Sequence, residues 1–160
     1  MSFYSRQQPQ DIIFSYTKTQ KPKKTDGPYF NVSHSGDLII FAVSRNNEIG
    51  ADIEYIRSKS KNDILVKRFC SPVEYQCINS LPREQRWHEF IKLWVIKEAY
   101  LKATGKGIAG IENIEVIMKE KGMPTLRLKR TKKILREWKV FLFEPAAKYI
   151  ACVVYKHATN

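Results

Sequence analysis

Trp94-Val95-Ile96-Lys97-Glu98-Ala99-Tyr100-Leu101-Lys102 is the stretch on which the fold turns. Read at helical pitch, Trp87, Ile91, Trp94, Glu98 and Leu101 fall on one stripe, in steps of four, three, four and three. The periodic run occupies about residues 83–104, and Gly105 and Gly107 follow as stop signals, so the spacing predicts one long helix. That stripe carries a carboxylate, Glu98, among tryptophans and aliphatics. A carboxylate on an apolar face must neutralise or find a cation. Lys102, one turn on, is the ordinary partner through an i,i+4 ion pair, and a metal ion is the alternative.

Working outward, Ile49-Gly50-Ala51-Asp52-Ile53-Glu54-Tyr55 reads as a strand entered from a turn at Asn46-Asn47. Side chains two apart in a strand share a face, so Asp52 and Glu54 point the same way and repel. Either that face is solvated or a hard cation with oxygen ligands neutralises it, as Mg²⁺ does when it also takes phosphate oxygens. Together with Glu98 the pair makes a set of three carboxylates. Further strands are expected at 12–16, 29–33, 38–44, 114–118, 125–130, 139–143 and 149–155, with a basic loop at 18–26 and a turn at Gly122-Met123-Pro124. Helices are expected at 62–69 and 72–79 before the long one. Ser71-Pro72-Val73-Glu74 has the form of a capping box with proline at the first helical position, which gives Glu74 a structural role. The class is α+β, an antiparallel sheet packed against a long helix.

The 160 residues suit one domain or two small lobes, and the net charge of +12 calls for an anionic partner. Nucleic acid is the commonest such partner, but the cations are scattered and no nucleic-acid fold signature accompanies them. Cys70, Cys77 and Cys152 are odd in number and match no zinc spacing. No apolar run is long enough for a membrane span and no leader is evident, so the expectation is a reduced, cytoplasmic setting without a membrane partner. The sequon Asn31-Val32-Ser33 is then accidental.

The succession Phe30-Asn31-Val32-Ser33-His34-Ser35-Gly36, Ile49-Gly50-Ala51-Asp52-Ile53-Glu54, Phe69-Cys70-Ser71-Pro72-Val73-Glu74 and Trp94-x-x-Lys97-Glu98-Ala99-x-x-Lys102 resembles the 4′-phosphopantetheinyl transferases. The Asn-Val-Ser-His-Ser segment resembles the broad-specificity, surfactin-synthetase-activating branch, and Gln20-Lys21-Pro22 is similar to the family's Gly-Lys-Pro element. The resemblance implies Mg²⁺-dependent transfer of phosphopantetheine from coenzyme A to a serine of an acyl or peptidyl carrier protein, releasing adenosine 3′,5′-bisphosphate. By the same resemblance Asp52, Glu54 and Glu98 are the metal ligands, and Glu98 is ligand, general base or both. Lys102 is a catalytic, phosphate-contacting lysine with Lys97 nearby, and Lys21, Ser33 and His34 hold the nucleotide part of coenzyme A. Taken alone, His34 is as readily an ordinary half-buried ring.

Against the family pattern, Gln20 replaces glycine, Ala51 replaces a larger aliphatic, and only about twenty residues precede Lys21-Pro22. The expected organisation is therefore a remnant of a first lobe over 1–48 and a Mg²⁺-binding transferase lobe over 49–160. A homo-oligomer whose interface replaces the first lobe, a compact enzyme, and a non-catalytic remnant that binds coenzyme A or carrier all remain compatible with this. The last is the alternative to the enzyme, and a basic nucleic-acid-binding module is a more distant one.

Overall fold

The computed structural model describes residues 8–11, 13, 15–16, 22–23, 27–57, 63–119 and 122–157. After a short ladder of β1 (Ser15–Tyr16) and β2 (Pro22–Lys23) come β3 (Tyr29–Ser35), β4 (Leu38–Ser44) and β5 (Ile49–Tyr55). Three helices follow, α1 (Asp63–Phe69), α2 (Pro72–Ser80) and α3 (Arg83–Thr104). A 3₁₀ turn (Ile108–Asn113), absent from the expectation, then leads to β6 (Ile114–Ile117), β7 (Thr125–Leu128), β8 (Trp138–Phe143) and β9 (Tyr149–Lys156). The architecture is α+β, as expected. β5, β9 and β8 form an antiparallel sheet in that order, while β3 with β4 and β6 with β7 form hairpins.

Alternation divides the sheet into two faces. Ile150, Cys152 and Val154 of β9 and Val140 of β8 point to the main core, which α3 supplies with Phe90, Ile91, Val95, Ile96 and Leu101. On the other face Ile53, Tyr149 and Ala151 meet Leu38 and Ile40 of the β3–β4 hairpin. β5 is covered on both faces, apolar at Ala51 and Ile53 on one and carrying Asp52 and Glu54 on the other, toward α3.

The long helix is buried well beyond the stripe inferred from periodicity. Leu93, Val95, Ala99, Tyr100 and Ala103 are also buried, so α3 is a central helix and Glu98 sits at the margin of its buried surface. Gly105 ends it in the left-handed conformation at φ 68° and its amide donates to the Leu101 carbonyl, as the stop signal predicts.

Strand β5 lies against this helix at backbone contact. A Cβ on Gly50 would collide with the Ala99 carbonyl oxygen and the Ala103 amide nitrogen. Glycine on the strand and two alanines one turn apart on the helix thus bring the two backbones together. This close approach sets the height at which Asp52 and Glu54 face α3.

Candidate functional site

The site is built from two registers. On β3, Asn31, Ser33 and Ser35 point toward β5 while Val32 and His34 are exposed. Their side chains replace a backbone ladder: Asn31 Oδ1 accepts from the Ala51 amide at 2.8 Å, Ser33 Oγ donates to Asp52 Oδ1 at 2.9 Å, and Ser35 Oγ donates to Glu54 Oε2 at 3.1 Å. Ser35 Oγ also accepts from the Tyr55 amide at 3.0 Å. On α3, Trp94 and Lys102, two turns apart, reach the same two carboxylates from the other side. Trp94 Nε1 donates to Glu54 Oε1 at 3.3 Å, and Lys102 Nζ donates to Asp52 Oδ1 at 2.6 Å and to Ser33 Oγ at 3.0 Å. Glu98 lies one turn from each of them.

The expected Glu98–Lys102 ion pair is not what the structure contains. Lys102 pairs with Asp52. Glu98 Oε1 and Asp52 Oδ2 are both buried and, among the described residues, have no hydrogen-bond partner. Burial pushes the Asp52 carboxyl above its ordinary value, and the Lys102 ammonium offsets this only in part. Burial likewise raises Glu98, with the neighbouring Asp52 charge adding to it and Lys102 opposing. Among the described residues no group of three or more His, Cys, Asp or Glu side chains is gathered closely enough to hold a metal ion as it stands. The donor set nevertheless has the chemistry for a hard cation: two orphaned, buried carboxylate oxygens whose charged forms are disfavoured until a cation arrives.

Of the other expected site residues, Ser33 lies in this cluster, but His34 faces away from it, as strand alternation requires. Lys21 lies outside the described residues. Lys97 is not brought to the cluster, and this corrects the expectation that grouped it with Lys102. Its ammonium is buried and donates to Glu74 Oε2 at 2.6 Å and to the Phe69 carbonyl at 2.8 Å. Five residues separate Lys97 from Lys102, and at 100° per residue that places them on different faces of α3. Glu74 has the structural role its capping box implies: Oε2 accepts from the Ser71 amide, the Glu74 amide donates to Ser71 Oγ, and Oε1 accepts from the Val116 amide.

Three functional neighbours were not singled out from sequence: Asn31, Ser35 and Trp94. Asn31 and Ser35 share the period-two face of Ser33, a signal that was available. The strand was expected to end at Ser33, and its extension to Ser35 is what delivers the second serine.

Comparison with known proteins places the chain among relatives of one family. The family model of the 4′-phosphopantetheinyl transferase superfamily matches residues 48–154. The 4′-phosphopantetheinyl transferase HetI of a Nostoc species is 44% identical over 116 residues, 69% of this chain and 49% of HetI. The enzyme psf-1 of Bacillus pumilus, bearing the same description, is 40% identical over 122 residues, 74% of this chain and 51% of its own length. Another, gsp of Aneurinibacillus migulanus, is 31% identical over 152 residues, 94% of this chain and 62% of its own. The chain thus spans about half the length of the first two relatives. Among solved structures, a holo-[acyl-carrier-protein] synthase of Thermotoga maritima superposes with a TM-score of 0.55 at 18% identity, covering 70% of this chain and 64% of the synthase, which supports the fold. With serines and carboxylates of β3 and β5 facing the acid and lysine of α3, and with that family model spanning most of the chain, the protein belongs to the 4′-phosphopantetheinyl transferase superfamily.

Proposed function

We propose that this chain carries the transfer site of an enzyme that moves 4′-phosphopantetheine from coenzyme A to a serine of an acyl or peptidyl carrier protein. The observation that carries the reading is the pair of orphaned oxygens, Asp52 Oδ2 and Glu98 Oε1, beside the Lys102 ammonium. In the reaction the serine oxygen forms a bond to the β-phosphorus of coenzyme A, the phosphoanhydride bond breaks, and adenosine 3′,5′-bisphosphate leaves. Asp52, Glu54 and Glu98 would hold Mg²⁺. When bound, it supplies charge neutralisation on the pyrophosphate oxygens, the main requirement of phosphoryl-type transfer.

The chain's own residues do the rest. Glu98, whose proton affinity burial raises, takes the serine proton directly or through a water molecule. Lys102, partly exposed and already hydrogen-bonded to Ser33 and Asp52, orients a phosphate oxygen as a point charge. Ser33 fixes Asp52 and Lys102 together, and His34, exposed on the outer side of β3, serves the nucleotide end together with Lys21. In this reading residues 49–160 form the transfer lobe and 1–48 belong to a first lobe. Among the described residues no helix is long and apolar enough to cross a membrane. The reading assigns no membrane or nucleic-acid partner, and a cytoplasmic setting suits its substrates.

Intact-mass spectrometry of an apo carrier protein incubated with this chain, coenzyme A and Mg²⁺, alongside a chelated control, tests the proposal. A metal-dependent gain of one phosphopantetheine supports it. An unchanged mass across acyl and peptidyl carriers, with coenzyme A still bound, overturns transfer in favour of a ligand-binding protein of the same fold.

A further inference from the structure

Resting on the metal-site reading above, we infer that Ser35 and Trp94 are positioning residues for Glu54, clamping its carboxylate from opposite sides so that one lone pair on each oxygen faces the cation. Glu54 is the last acidic residue of β5 and only half-buried. A glutamate there has three side-chain torsions to fix before it can serve as a ligand. Both of its oxygens are held. Ser35 Oγ, from β3, donates to Oε2 at 3.1 Å, and Trp94 Nε1, from α3, donates to Oε1 at 3.3 Å. Each carboxylate oxygen can accept two hydrogen bonds or ligand contacts, so one donor apiece leaves the other lone pair available.

Both donors are themselves fixed. The Ser35 hydroxyl accepts the Tyr55 amide at 3.0 Å, which directs its single proton to Glu54. The Trp94 ring is set edge-on against Phe69, centroids 4.9 Å apart, and packs against Phe90 at 6.2 Å. Trp94 is therefore held between Phe69 at the end of α1 and Phe90 one turn before it on α3, while its N–H reaches the end of β5. Groups that hydrogen-bond a metal ligand commonly tune metal affinity 10–100-fold.

Mn²⁺ binding, followed by electron paramagnetic resonance with coenzyme A present, tests the inference on wild type, Ser35→Ala, Ser35→Thr, Trp94→Phe and Glu54→Gln. The Mn²⁺ dissociation constant is expected to rise about tenfold in Ser35→Ala and in Trp94→Phe. It should stay within about twofold of wild type in Ser35→Thr, which keeps the hydroxyl, and metal-free coenzyme A affinity should be unchanged in all three. If Glu54→Gln weakens Mn²⁺ binding but Ser35→Ala and Trp94→Phe do not, the inference falls and the metal site stands. Equal loss of metal-free coenzyme A affinity in both variants would assign the two residues to general architecture and also overturn it. No Mn²⁺ binding by wild type, or none lost in Glu54→Gln, overturns the metal-site reading and the inference with it.

Discussion

Helix α3 carries two acid–lysine arrangements five residues apart, and they are opposite in kind. In the first, Lys97 and Glu74 are buried and every charged atom has a partner: the lysine donates to a carboxylate and a carbonyl, and both glutamate oxygens accept backbone amides as well. In the second, Lys102 and Asp52 are joined at one oxygen, while Asp52 Oδ2 and Glu98 Oε1 are buried with no hydrogen-bond partner among the described residues. A closed network of this kind fastens α2, α3 and β6 to one another and leaves neither charge without a partner. The open one, with more negative than positive charge, leaves those two carboxylate oxygens without one among the described residues. Buried charge alone does not mark a site; unsatisfied buried charge is the more telling sign.

The difference is sharpened most strongly by breaking the closed pair. Lys97→Met should lower stability by about 3–5 kcal/mol in urea unfolding, because it leaves the Glu74 carboxylate buried and uncompensated. Lys97→Met with Glu74→Gln should recover part of that loss. If the single variant were as stable as wild type, the pair would not be the fastening described here. Glu98→Gln should do the reverse: thermal stability of the metal-free protein holds or rises, while transfer falls by about 10²-fold or more, the scale of a lost general base. Unchanged turnover would remove Glu98 from the chemistry.

Gly50→Ala tests how the two backbones are held. The added methyl meets the α3 backbone at Ala99 and Ala103, and overpacking of this kind costs about 1–3 kcal/mol. It should also reduce transfer, since β5 would move with Asp52 and Glu54 on it. Unaltered stability and activity together would mean that the strand–helix contact yields without consequence.

Acidity separates the two regions further. Because Asp52 and Glu98 have raised folded-state values, the folded protein holds their protons more tightly than the unfolded chain does. The penalty of ionising them in the fold is present above the raised values. It is relieved as pH falls through those values toward the ordinary carboxylate range. Metal-free wild type should therefore gain relative stability on mild acidification, and Asp52→Asn with Glu98→Gln should lose that gain. Parallel melting curves against pH for the two proteins would contradict it. The smallest effect concerns the thiols: burial pushes Cys70, beside Glu74, up to about 12 and raises Cys152, beside Asp52, as well. In the folded protein a thiol reagent should modify exposed Cys77 first, and Cys70 should be slower still in Lys97→Met, which removes the one cation that opposes the effects of burial and Glu74.

Much of this was legible in the sequence because it is local. The limits of α3, the Ser71 capping box, the Gly105 stop and the shared face of Asp52 and Glu54 follow from spacing and from one or two special residues. What failed was partner choice. Glu98 and Lys102 are one turn apart, the spacing that normally makes an ion pair, yet Lys102 turns to Asp52, fifty positions earlier in the chain. Lys97 looked like a companion of Lys102 because the motif sets them close in sequence, while helical rotation carries it to Glu74. The stripe on α3 was too narrow because periodicity reports where apolar residues repeat, whereas α3 is enclosed by helices, sheet and hairpin together.

The sequence by itself determined most of the elements, the two ends of α3, and three carboxylates with a lysine in a spacing shared with one family. Only the tertiary structure decided which of the two lysines serves the carboxylates, that β3 is bound to β5 through Asn31, Ser33 and Ser35, and that Trp94 reaches Glu54. The reason is physical. Helix and strand periods depend on neighbours within a turn or two, but saturation of a buried polar group depends on which distant segment arrives beside it, and here the bare contact at Gly50 sets that arrival.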